Sequence, residues 1–278
     1  AINWKLFGLQ PFGYALTNFT ILVASAVALR QLCTALGMTK GSAWLAAGLW
    51  SLNYYGINIA LLWISGRTSL LVTLFALLSA TAFVRNHRYQ SAVWALLAML
   101  SKEEAVLLPF ILILWAGFSF VDVTSRRSIG SSLKSVSVSV FPLFTALAVY
   151  MIARTASGGM TPMSAPEAYQ FTFHPSSLTG NLLSYLDRAG TLSGGVLFLL
   201  ALSAAGLPRP NRRQWRWVKL GAVWMLGGLS LAVLLPIRSS LHAIGPSAGA
   251  ALAGAALITA LWDHAEKIAR TRMVTTGI

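Results

Sequence analysis

Apolar runs alternate along the chain with short polar stretches rich in Arg, Lys, Gly and Pro, and several approach the roughly 20 residues that a membrane helix needs. They fall at residues 12–36, 42–52, 68–84, 89–101, 105–121, 136–153, 192–207, 220–236 and 246–262. Runs that are apolar all round, not on one stripe, read as helices buried in lipid or in a large core. The pattern predicts an all-α, polytopic transmembrane bundle of about nine segments spanning residues 1–262, with a tail at 263–278. The second run ends in Asn53, Tyr54, Tyr55 and Gly56, a polar and aromatic patch suited to a membrane interface. Between 154 and 190, Gly158, Gly159, Pro162, Pro166 and Pro175 interrupt any regular helix, which predicts a long extracytoplasmic loop there. Neither a soluble domain nor an internal repeat is visible.

One polar interruption differs from the rest. In LLAMLSKEEAVLLPF, residues 96–110, Lys102, Glu103 and Glu104 stand together between two apolar runs. A charge near the middle of a bilayer costs at least a few kcal/mol, so such groups default to a functional reading with partners nearby. A helix from Arg88 to Lys102 covers roughly 21 Å, and the return limb 105–121 about 24 Å. Both are short of a hydrocarbon core about 30 Å thick. The turn is therefore expected below the far surface, in a cavity lined by protein. The alternative is an interfacial turn whose lysine reaches up to the head groups.

Composition agrees with the pattern: of 278 residues, 56% are hydrophobic and 10% charged, and the mean hydropathy is +0.68. A net charge of +14 would point to nucleic acid in a soluble protein. Here the basic residues sit between apolar runs, as the positive-inside rule requires, and no nucleic-acid partner is expected. With nine crossings, the loops on one face hold fifteen of the 21 Lys and Arg residues. The other face keeps Lys5, Arg67, Lys102, Arg154, Arg188 and Arg238. This asymmetry makes the richer face cytoplasmic, the N-terminus extracytoplasmic and the C-terminus cytoplasmic, in an integral membrane protein of the bacterial inner-membrane type. The lone Cys33 excludes an intrachain disulfide.

Four stretches fall on the outer face: WISGRTSLL at 63–71, SKEE at 101–104, the loop 154–188, and RSSLHAIGPSAG at 238–249. Each sets basic residues beside small or hydroxyl residues. Guanidinium and ammonium groups give charge-assisted bonds to phosphate oxygens. The candidate anion site is therefore Arg67, Lys102, Glu103, Glu104, Arg154, Arg188 and Arg238, with a glutamate orienting the lysine or holding a sugar hydroxyl. For any one Arg the alternative is contact with lipid head groups. Asp187 beside Arg188 reads as an interfacial ion pair or as part of the site. No dinucleotide, Walker, zinc-protease or nucleophile-elbow motif occurs, and no cofactor is implied. His174 and His242 have no ligand partners at metal-binding spacing, so no metal site is expected. Asn18-Phe19-Thr20 matches a glycosylation sequon by chance, inside an apolar run.

In that order, WISGRTSLL, LLAMLSKEEAVLLP and RSSLHAIGPSAG resemble motifs of the GT-C superfamily of membrane glycosyltransferases. They are most similar to the transmembrane tetratricopeptide-repeat mannosyltransferases and their bacterial relatives, with patterns such as WISGRKDLL, LLSKExAVxLP and ERYLYLPSIG. The second motif is also similar to the TKG segment of lipid A aminoarabinose transferase. The resemblance covers about residues 1–262, with some thirty motif-like positions. It implies transfer of a sugar, such as a mannose-like hexose, from a polyprenyl-phosphate donor to a glycan, lipid or protein acceptor on the outer face. Arg67, Lys102, Glu103 and Arg238 stand at matching positions. Ser69 replaces the Asp expected after the GRK pattern, and Tyr54 and Ile59 replace the His and Glu of an HPVHVEA-like segment. The resemblance puts the catalytic Asp in a first external loop that would precede Ala1, so the chain is expected to be an N-terminal truncation, inactive by itself. Two rivals stand beside this reading: a transporter or flippase of lipid-linked sugars, and a non-catalytic membrane scaffold.

Overall fold

A computed structural model of the chain describes residues 2–121, 129–159, 170–203 and 210–276. Arg126, Arg127, Pro162, Pro166 and Arg209 lie outside the described residues, as do the side chains of Lys134, Arg270 and Arg272. Among the described residues the fold is all-helical. In chain order the helices are α1 Ile2–Phe7, α2 Pro11–Ala35, α3 Lys40–Ser51, α4 Tyr54–Leu62, α5 Gly66–Val84, α6 Arg88–Ser101, α7 Leu108–Val121, α8 Ile129–Ala156, α9 Pro175–Ser203, α10 Arg212–Val233 and α11 Ile244–Thr276. Short 3-10 turns at Glu103–Leu107 and Ser240–Ala243 lead into α7 and α11.

Four described stretches are long and apolar enough to cross a membrane: Pro11–Ala35, Gly66–Val84, Ser137–Ala156 and Ser240–Ala269. That is fewer than the nine runs of the sequence. The second run forms a helix of only 12 residues, and a further helix of 9 residues follows it at Tyr54–Leu62, where the pattern gave an interfacial patch. The two limbs around the charged cluster have 14 residues each. At 1.5 Å per residue these limbs are roughly 21 Å long, too short to span alone. Helix α9 starts at Pro175 rather than near Gly190, which shortens the expected 154–190 loop. A proline at the first helical position loses no hydrogen bond and brings its own helical φ. Phe12, Leu16, Phe19 and Val23 of α2 stay exposed, as do Phe141, Val149 and Ile152 of α8. Apolar faces of this extent fit a lipid bilayer as their surroundings.

Small residues and indole rings hold the bundle together. Ser79 of α5 and Ser91 of α6, both fully buried, each donate a hydroxyl to the other's carbonyl, at 2.8 and 2.9 Å. Helices α10 and α11 meet at Gly221 and Gly249, where a methyl group on Gly221 would stand 2.5 Å from the Gly249 carbonyl oxygen. Such small-residue contacts are how helices associate where no water drives burial. Trp50 of α3, Trp115 of α7 and Trp224 of α10 donate their ring N–H to the carbonyls of Ile244, Leu220 and Gly245, at 2.9, 3.0 and 2.9 Å. A buried indole usually finds such a partner; Trp50 and Trp224 fix α3 and α10 to the start of α11, and Trp115 ties α7 to α10.

The bundle has two chemically distinct ends. At one, Trp217 bonds the Leu36 carbonyl, Arg213 bonds the Gly37 carbonyl, and Gln214 donates to Asp263. At the other lie the α4–α5 turn, the Lys102 turn, the end of α8, the first half of α9 and the segment leading into α11. Described residues from each of the four stretches assigned above to one face lie there.

Candidate functional site

The local break that creates the site follows from Pro109. A continuous helix would need its missing N–H to bond the carbonyl of Ala105, and its ring would clash there. Instead α6 stops at Ser101, Lys102 takes an extended backbone (φ −162°, ψ 138°), and a 3-10 turn carries Glu103 and Glu104 into α7. The turn sends successive side chains to opposite sides. Lys102 Nζ lies 3.0 Å from Glu104 Oε1 and donates to Ser69 Oγ at 3.3 Å. It also lies 3.3 Å from His242 Nδ1, and that same nitrogen contacts Glu104 Oε1. Nδ1 accepts from the lysine when it carries no hydrogen and donates to the glutamate when it does, so one proton position decides which bond forms. The Lys102 and Glu104 side chains are only 14% and 16% exposed. An ion pair this far from water is held by geometry and neighbouring bonds, because desolvation offsets most of its Coulomb energy.

Beneath this cluster is a narrow apolar cavity of about 60 Å³ between α5, α7, α10 and α11, with Glu104 in its wall beside Ser69, Thr73, Ile111, Trp224 and Pro246. It has room for about two waters. Next to His242 stands Tyr185, fully buried, its ring edge-on to the imidazole with centroids 6.3 Å apart. The Tyr185 hydroxyl donates to the Ile237 carbonyl at 3.4 Å and accepts from the Ser239 N–H at 3.3 Å. The Arg188 guanidinium lies over the same ring, 5.8 Å from its centre, and its buried Nη1 has no hydrogen-bond partner among the described residues. Arg238 donates from Nε to Asn181 Oδ1 at 2.7 Å, while the Asn181 amide holds the carbonyls of Val233 and Leu235. Lys102 thus pairs with Glu104, while Arg188 and Arg238 stand near Tyr185, whose ring meets His242; three cations at this end suit an anion.

Three sequence candidates go elsewhere. Arg67 turns away from Lys102 toward α1 and α2. It donates to Asn18 Oδ1 at 3.0 Å and stacks over Tyr14, and both its Nη atoms reach the Asn3 carboxamide at 2.9 Å. Asn18, 1% exposed, also donates to the Ala60 carbonyl at 2.9 Å. This side chain ties the α4–α5 turn to the N-terminal helices. Gly66 makes that turn possible, since a methyl group there would stand 2.6 Å from Ala60 Cα. Glu103 and Arg154 face a separate cavity, described below. Three contributors escaped the sequence reading: Ser69, Tyr185 and His242. His242 lay in a stretch singled out for its arginine, but a lone histidine offers no spacing signal when its partner is a glutamate 138 positions away. No group of His, Cys, Asp and Glu that could hold a metal occurs among the described residues. Set against protein-family models, curated proteins and solved structures, the chain matches none of them.

Proposed function

We propose that the chain is the membrane core of a GT-C-type glycosyltransferase, with nine crossings, that holds a polyprenyl-phosphate sugar donor at its extracytoplasmic end. The observation that carries this reading is the cluster of Lys102, Glu104 and His242 at the apolar cavity, near Arg188, whose Nη1 has no hydrogen-bond partner among the described residues. A lipid phosphate presents an anion attached to a long apolar chain, and this end of the bundle offers fixed cations next to an apolar slot. In transfer, such cations stabilise the departing lipid phosphate. Proton removal from the acceptor needs a poised carboxylate. Glu104 is engaged by Lys102 and His242, so it is not free to act as that base.

The test is binding of undecaprenyl phosphate to the chain in nanodiscs, with undecaprenol as the neutral control. The phosphate form should bind more tightly, and Lys102→Ala should weaken it about tenfold, the worth of one charge-assisted contact. Equal binding of alcohol and phosphate would sink the reading. The break between α6 and α7 also favours a second one: transporters place ions at interrupted helices. Movement of a labelled lipid-linked sugar across proteoliposomes, without any transfer, would select it.

A further inference from the structure

Beside the Lys102 turn lies a second cavity, of about 240 Å³, between the end of α6 and the end of α8. Ser101, Lys102, Glu103, Tyr150, Arg154 and Ser157 line it. It holds about eight waters or one small head group. Lys102 borders it, but its Nζ is engaged on the opposite side with Ser69, Glu104 and His242. The charges left to the cavity are Glu103 and Arg154. Glu103 is exposed and makes no hydrogen bond or ion pair among the described residues. Arg154 donates Nη1 to the Tyr150 hydroxyl at 2.9 Å, which leaves its other N–H groups available. The two face one cavity without pairing with each other.

Helix ends add to this field. Both α6 and α8 point their C-termini at the cavity, and each such end carries a partial negative charge. Helix α8 closes with Gly158 in the left-handed region (φ 71°), the Gly158 N–H on the Thr155 carbonyl at 3.0 Å and the Gly159 N–H on the Arg154 carbonyl at 2.9 Å. That glycine-capped turn fixes the rim and the arginine. Glu103 with two helix C-termini favours a cation that donates hydrogen bonds, and Arg154 at the edge favours an anion close by.

We propose that this cavity binds a primary ammonium group carried beside a phosphate, the phosphoethanolamine head group, with the ammonium on Glu103 and the phosphate on Arg154. A neutral sugar would leave both charges uncompensated. A phosphocholine head has no N–H to give to Glu103. The site is distinct from the Lys102 Nζ cluster and does not depend on sugar transfer.

The purified chain in phosphatidylcholine nanodiscs doped with phosphatidylethanolamine or phosphatidylglycerol tests it, with retained lipid read by native mass spectrometry. Phosphatidylethanolamine should be retained over both others, by about tenfold for one charge-assisted contact. Glu103→Gln should erase its advantage over phosphatidylcholine, and Arg154→Gln should lower its retention. Equal retention of the ethanolamine and choline lipids, or a preference that survives Glu103→Gln, overturns the proposal. Free O-phosphoethanolamine, followed by phosphorus NMR line broadening with the detergent-solubilised chain, identifies the source. Broadening assigns a head group recognised by itself, and its absence alongside lipid retention assigns a membrane lipid. Loss of undecaprenyl phosphate binding in the same discs counts against the glycosyltransferase reading alone.

Discussion

Replacing Glu104 by Gln should move stability and anion binding in opposite directions. The substitution keeps the shape of the side chain and removes the carboxylate that pairs with Lys102 and His242. Removing one partner of a fully buried ion pair costs about 3–5 kcal/mol. Here the two side chains are 14% and 16% exposed, and the lysine keeps Ser69 and His242 as partners. The expected loss is therefore about 2–3 kcal/mol, somewhat below that range. Binding should respond the other way, because the Glu104 carboxylate pairs with the same Lys102 ammonium that a phosphate would approach. Two unit charges about 6 Å apart repel by roughly 3 kcal/mol at an effective dielectric near 20. If about half survives screening, relieving it tightens a lipid phosphate about tenfold. The assays are unfolding in detergent followed by tryptophan fluorescence, and undecaprenyl phosphate titration in nanodiscs. If stability and affinity fall together, Glu104 orients the lysine for the ligand instead of competing with it. A stability change under about 0.5 kcal/mol, the level of an ordinary surface substitution, would remove the ion pair from the account altogether.

Arg67→Ala and Asn18→Ala should each lower stability by about 1–3 kcal/mol, the cost of leaving buried polar groups without partners. Undecaprenyl phosphate binding by the folded fraction should stay within about threefold of wild type, well inside the tenfold worth of a direct contact. A selective loss of binding in Arg67→Ala would return that residue to the anion site. Gly221→Ala should destabilise by about 1–3 kcal/mol, because its new methyl group meets backbone atoms of α11 that have no room to retreat. Gly48→Ala, with open space around it, is the matched control and should be neutral or slightly stabilising in the same unfolding assay. Orientation is read by cysteine labelling: Ser157→Cys should react with an impermeant maleimide on intact cells, and Ala265→Cys only after permeabilisation. Both positions are exposed, while the native Cys33 is fully buried and silent. The reverse pattern would invert the topology.

The Lys102–Glu104 turn was legible because charge between two apolar runs is conspicuous. The fates of Arg67 and Arg238 were not. Each is held by a neutral asparagine, Asn18 or Asn181, lying 49 or 57 positions away inside a helix. Nothing in the spacing marks a carboxamide as the partner of a guanidinium. The start of α9 was hidden for a related reason: Pro175 reads as a helix breaker until its position at the first turn is known, and the polar residues after it are those that bond across helices. Asn53 shows the same duality. It ends the second apolar run, and its amide then donates to the Arg188 carbonyl at 3.1 Å, which ties the start of the short α4 to α9. The short helices therefore have a common consequence. Limbs of full spanning length would carry Lys102 out toward water, whereas a limb cut short at Ser101 keeps its ammonium level with Ser69 at the start of α5 and His242 before α11.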